Sequence, residues 1–436
     1  MKTACRSTSG FPRARHRRKA GRCTSSSTAA SSNSAPPTPP PPPPLYTSTS
    51  FAAILIKPAY RLNLFGFLVP PPTPTQPHPG NYGFYDLRLA LEWTYTNISY
   101  FSGNPANITV GGYSAGAHCA FYQLAYDISL PESKRIIRRL VMHSNGPGPA
   151  PRPPSESQAQ YLALLQALSI PASLPVAEQL AALRSLPAST LLAAANTRPY
   201  PPQFRASPGG FISPALFSDI RDGSFATRLR EANVRILIGE CSDEHFAYAR
   251  WHAPTPSLRA VETRLHADYS RRVVRALVGL YFPSGKVKDG KGWREAFGRV
   301  YADVQVHCSI RGFIAGLVKG GAGGLVSRYR VEWRAGCVRQ PVGWGASHGS
   351  DMAIWFYGDG GKLTEGEGRI VREGLLDLYG QFLAGEEVDW GTRDYMDVRR
   401  LKADGSVDIW RDELWEHGLE VWDAVQDASL GERAAL

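Results

Sequence analysis

The chain is 436 residues long, 43% hydrophobic and 20% charged, a composition that excludes a disordered or fibrous protein and supports a large buried core. No apolar run approaches the roughly 18 residues of a membrane-spanning helix; the longest near the start, FAAILI, has six. The net charge of +11 suggests a nucleic-acid partner, but its distribution argues against one: residues 1–61 hold ten Lys/Arg and no Asp or Glu, the first acid is Asp86, and residues 62–436 carry only +1.

In chain order, residues 1–45 read as a basic, Ser/Pro-rich segment without a fold, because RCTSSSTAASSNSAPPTPPPPPP offers too little apolar surface to bury. Its prolines favour polyproline II, as a plain linker or an SH3-type ligand. Its arginines and serines suit a mitochondrial transit peptide as well as a solvated tail. With no apolar stretch after the basic residues, a secretory signal is not expected, and the protein reads as intracellular, cytoplasmic unless the arm is a transit peptide. The six cysteines then read as reduced thiols. They contain no C-x-x-C pair, so their spacing does not suggest a zinc site.

Order is expected near Phe51, with FAAILIKPAYRL as a buried parallel-type strand. YDLRLALEWTYTNI reads as a helix, NITVGG as a β-branched strand, AGAHCAFYQLAYD as a helix and RRLVMHSNG as a strand. Helical patterns follow at 155–168, 174–186 and 215–232. VRILIGECSDEH is strand then loop, LVSRYRVEW a strand, and GWGASHGSDMAIWF a loop. GRIVREGLLDLYGQFLAG and DELWEHGLEVWDAV close the chain as helices. Strands alternating with helices predict an α/β fold with a mostly parallel central sheet covered on both faces.

One motif carries chemistry. Gly112-Tyr113-Ser114-Ala115-Gly116 is a G-x-S-x-G sequence between a predicted strand and a predicted helix. That context favours a nucleophilic serine on a tight turn, with Gly112 and Gly116 needed because side chains there would collide. The competing reading is a glycine-rich turn with a buried serine. The helix beginning at Ala115 aims its amides at the position where negative charge develops. A serine nucleophile needs a base, and the base an orienting acid, in the chain order serine, acid, histidine. Asp243 and Glu244 stand just after a strand and His348 in a loop of small residues, and Ser114, Glu244, His348 satisfies that order. His118 lies on the nucleophile's own helix, and His143 and His307 read as packed structural residues. KGGAGG (Lys319 to Gly324) lacks the Lys-Ser/Thr of a phosphate loop and reads as a connection; SGKVKDGKG (Ser284 to Gly292) reads as a solvated basic loop.

YRLNLFGFL, GNYGFYDLRLALEWTYTNISYFSGNPANITVGGYSAGA, IGECSDEHF and GASHGSDMAIWF, in this order, resemble the type-B carboxylesterase (cholinesterase-like) family of α/β-hydrolases, particularly its fungal members. The likeness spans about residues 46–436, which sets the expected domain. It implies an α/β-hydrolase fold, Ser114 as nucleophile, Glu244 as triad acid, His348 as base, Ala115 as one oxyanion-hole amide, and Asp351 as an acid supporting the histidine loop. It also implies a small-molecule carboxylic ester as substrate, and no metal or organic cofactor. Tyr113 stands where cholinesterases have Glu, which argues against choline esters.

The family's upstream His-Gly-Gly stretch, source of the other oxyanion amides, is absent, and the first strands of the sheet are not recognisable. The alternative reading is therefore a catalytically impaired relative. Read one base earlier with Ser encoded as TCN, Cys23 to Thr38 accommodates VHVFIHGGFLQFGSPN, with His-Gly-Gly at codons 28–30. This predicts a shifted reading frame in that region, by gene-model error or mutation; coding DNA that does not spell His-Gly-Gly there in the other frame refutes it.

Overall fold

In a parallel sheet whose strands are buried on both faces, alternate residues of each strand must feed two separate cores. The computed structural model, which describes residues 21–27, 43–73, 80–196, 203–251, 253–287 and 292–431, has this arrangement. Strands β1 (Gly21–Ser27), β2 (Ala53–Ile56), β3 (Gly103–Tyr113), β4 (Ile137–His143), β5 (Arg235–Cys241), β6 (Val326–Val331), β7 (Asp397–Leu401) and β8 (Val407–Arg411) form one sheet. Their order is β2-β1-β3-β4-β5-β6-β7-β8, parallel throughout except for the antiparallel β7–β8 pair. Leu140 and Met142 of β4 and Ile236 and Ile238 of β5 enter one apolar cluster. Val141 and Leu237 between them enter the other, with Tyr329, Val331 and Trp355.

Helices α1 (Tyr82–Asn97) and α2 (Ala115–Asp127) follow the expected pattern, and α2 has the expected bounds. The pattern at 215–232 resolves into two helices, Leu216–Asp222 and Ser224–Glu231. Gly223 separates them at φ +91°, a conformation few L side chains adopt. Further helices at Leu258–His266, Arg271–Tyr281, α3 (Trp293–Ala302) and α4 (Cys308–Lys319) fall where the pattern reading names no element. A π-helical turn, Asp303–His307, joins α3 to α4. The last helix, α5 (Trp415–Leu430), packs on α4. Among the described residues, no helix is long and apolar enough to cross a membrane.

Three expectations are corrected. The segment 1–45 was expected to lack a fold, yet Gly21–Ser27 is a strand inside the sheet, paired in parallel with β2 and with β3. A ladder needs only main-chain N–H and C=O groups, so the Ser/Thr-rich composition does not exclude it. The remainder of that segment up to Pro42 lies outside the described residues. The helix Pro43–Thr47, with Leu45 fully buried, precedes Phe51, near which order was expected to begin. The strand expected in FAAILIKPAYRL shrinks to β2, half-buried along its length at the margin of the sheet.

Candidate active site

The strands of β3, β5 and β6 all deliver their following loops to the carboxyl edge of the sheet, and the predicted site residues meet there. Ser114 links β3 directly to α2 at φ 54° and ψ −123°, a strained conformation for a residue with a side chain. Its N–H donates to the His143 carbonyl at 2.9 Å, fastening the turn to the end of β4. A Cβ on Gly112 would stand 2.3 Å from the carbonyl carbon of residue 116, so glycine at 112 lets the chain pass itself. Ala115 is the first residue of α2, where N–H groups have no intrahelical acceptor.

Glu244 follows β5 and is fully buried; its Oε1 accepts the Cys241 N–H at 2.9 Å. His348 follows β6 in a loop tied to the acid loop by the Asp243 N–H, which donates to the Ala346 carbonyl at 3.0 Å. Gln340 donates its side-chain amide to the His348 carbonyl at 2.7 Å. The imidazole lies 2.5 Å from Glu244 Oε2 through Nδ1 and 2.8 Å from Ser114 Oγ through Nε2. A buried carboxylate at Nδ1 fixes the proton there and leaves the Nε2 lone pair to accept from the serine hydroxyl.

Two tyrosines enclose the ring, Tyr113 of the elbow motif and Tyr248, which the pattern reading did not single out. Tyr113 and Tyr248 place their rings 4.8 and 4.7 Å from the imidazole centroid. The Tyr248 hydroxyl is 3.2 Å from Nε2 of His348. Burial and the nearby Glu244 charge hold that phenol well above its ordinary pKa, so it remains a donor. The available signal was spacing: Tyr248 lies one helical turn after Glu244, in the helix His245–Tyr248. Beyond it, the Tyr301 ring packs, tilted, with its centroid 4.9 Å from that of Tyr248, and its hydroxyl accepts from Arg205, which is paired with buried Asp268.

Asp351 sits beneath the loop rather than against the imidazole. It accepts from Trp355 Nε1 at 2.9 Å and from the Tyr329 hydroxyl at 3.3 Å. Burial and the Glu244 charge push its carboxyl up to about 6. The other histidines have other surroundings. His118 is held down to about 4 by burial and the Arg205 charge. His143 bonds the Tyr329 hydroxyl at 2.9 Å and stacks on Trp355, and His307 pairs with Glu240 at 2.8 Å.

The remaining oxyanion-hole amides are expected upstream. β1 pairs Ser27 with Gly112, two residues before Ser114, so the chain leaves β1 beside the nucleophile. Residues 28–42, including the expected position of the missing donors, lie outside the described residues.

A serine, imidazole and carboxylate in line at the carboxyl edge of a parallel sheet can carry acyl transfer. The model of the carboxylesterase family matches residues 43–374. The chain is 40% identical to a carboxylic ester hydrolase of Gibberella moniliformis, over 89% of this chain and 73% of that one. It is 38% identical to an uncharacterised esterase/lipase of Schizosaccharomyces pombe, over 84% of this chain and 69% of that one. Acetylcholinesterase of Bungarus fasciatus is 27% identical over 70% of this chain and 51% of its own. By the extent of that match and the identity of those relatives, the chain belongs to the carboxylesterase family, carboxylic ester hydrolases built on the α/β-hydrolase fold.

Proposed function

We propose that this chain cleaves carboxylic esters through an acyl-enzyme on Ser114. His348 Nε2 takes the hydroxyl proton as Ser114 Oγ attacks the ester carbonyl. Glu244 holds the ring's tautomer and stabilises the imidazolium. The tetrahedral oxyanion faces the Ala115 amide at the start of α2. Collapse expels the alcohol, which takes the proton from Nε2. Water, deprotonated by the same imidazole, then attacks the acyl carbon and frees the acid and Ser114. The observation that carries this reading is the position of His348, bridging Ser114 Oγ at 2.8 Å and Glu244 at 2.5 Å. The test is turnover of short-chain p-nitrophenyl esters. Ser114→Ala is expected to lower kcat by at least about 10³-fold. Equal turnover by both proteins refutes the reading.

The pairing of Ser27 with Gly112 favours a second statement about rate. The alternative frame accommodates His-Gly-Gly immediately after β1, where their amides would enter beside Ser114. With them absent, kcat falls by about 10²–10³ for each lost donor. A variant in which Cys23 to Thr38 is replaced by VHVFIHGGFLQFGSPN is therefore expected to gain at least about 10² in kcat. An unchanged kcat in a folded variant removes the assignment of these donors.

A further inference from the structure

A cavity of about 520 Å³ lies behind the acid loop, between the π-helical turn, α3, α4 and the start of α5. Asp303, Cys308 and His417 line it, and their ligand-type atoms all lie within 4.8 Å of one another. We propose that these three side chains form a binding site for a borderline-soft divalent cation of the Zn²⁺ type.

The local backbone explains the grouping. In an α-helix residues five apart point in different directions, but the Cys308 N–H bonds the Asp303 carbonyl across a π turn. That wider turn carries both side chains to one side, and π turns inserted in helices often mark functional positions. His417 is brought to them by α5, which packs on this stretch. Its Nε2 lies 3.7 Å from Asp303 Oδ2, and its Nδ1 lies 3.9 Å from Glu420. Metal-bound histidines commonly have such a carboxylate at the second nitrogen. Tyr281 donates to Asp303 Oδ2 at 2.7 Å and orients it.

Thiolate, imidazole and carboxylate together suit Zn²⁺, with a fourth position open to the cavity. The arginines in the wall do not oppose a cation with free charge. Arg311 is paired with Glu240 and Asp412, Arg330 with Glu240 and Glu332, and Arg299 with Glu295. Burial and the Asp303 charge hold the Cys308 thiol well above its ordinary pKa, and Asp303 raises that of His417. The three ligands come from one helical junction and from a helix more than a hundred residues later, so no cysteine spacing reveals them.

The test uses the full chain, freed of metal by chelation, with Co²⁺ and Zn²⁺ as probes. The wild type is expected to bind one ion and, with Co²⁺, to show a thiolate-to-metal charge-transfer band. Cys308→Ser is expected to lose that band. His417→Gln, at a half-exposed position and compatible with folding, is expected to weaken Zn²⁺ binding at least about 10-fold. Absence of the band in the wild type, or unchanged Zn²⁺ affinity in folded His417→Gln, overturns the site.

Discussion

At the scale of single residues, the balance of charge beneath the imidazole is the most consequential detail. Asp351 is fully buried and its pKa is raised from 3.8 to about 6 by burial and the Glu244 charge. A carboxyl whose folded pKa exceeds its unfolded value stabilises the fold fully below the unfolded pKa. That contribution is lost as pH rises from 3.8 through about 6. A shift of this size corresponds to about 3 kcal/mol. Asp351→Asn is therefore expected to flatten the dependence of Tm on pH across that window, measured by thermal melts of both proteins. Equal slopes would contradict it. Ser114, Glu244 and His348 were legible in the sequence because an elbow motif and chain order restrict the choice. Tyr248, and the packing of Tyr113 on the imidazole, were not, because an aromatic residue gains its meaning only from the ring it lies against.

At the scale of elements, β1 occupies the least expected position. It separates β2 from β3 and supplies one side of the β3 ladder, up to the residue pair beside the nucleophile. Without it, β3 would expose a row of unpaired main-chain groups. Deletion of residues 1–27 is accordingly expected to shift the purified protein toward aggregates in size-exclusion chromatography; a monodisperse profile with unchanged Tm would show that β1 is dispensable. The β7–β8 hairpin escaped the pattern reading for another reason. Its strands, DVRRL and VDIWR, lack apolar alternation. They are joined instead by the facing pair Arg400 and Asp408, at 2.7 Å, and by Arg400 over the Trp410 ring. The helices at Leu258–His266 and Arg271–Tyr281 did carry a signal in Ser257 and Ser270, which cap them by accepting from Ala260 and Val273.

At the scale of the whole molecule, an ionic cluster joins parts of the chain far apart in sequence. Arg311, fully buried on α4, reaches Glu240 of β5 and Asp412, which follows β8. Arg330 shares Glu240, and Arg328 shares Asp412. Such a cluster adds little net stability over an apolar one, but breaking it strands buried charge. Arg311→Met is expected to lower unfolding stability by about 3–5 kcal/mol, read from the urea midpoint. A loss below about 1 kcal/mol would mean that the remaining cations compensate. The fold class was legible because strand and helix periods alternate along most of the chain. This cluster was not, since ionic partners share no period and are set by packing alone.

The insertion of β1 into the sheet has a consequence for inheritance. Changing the reading frame rewrites every side chain of a segment, yet each non-proline residue still brings one donor and one acceptor to its neighbours. A strand slot flanked by two existing strands is therefore tolerant of such a change, and Cys23 through Ser27, rich in Ser, occupy one beside β3. A turn that must present particular amides to a reacting atom has no comparable tolerance.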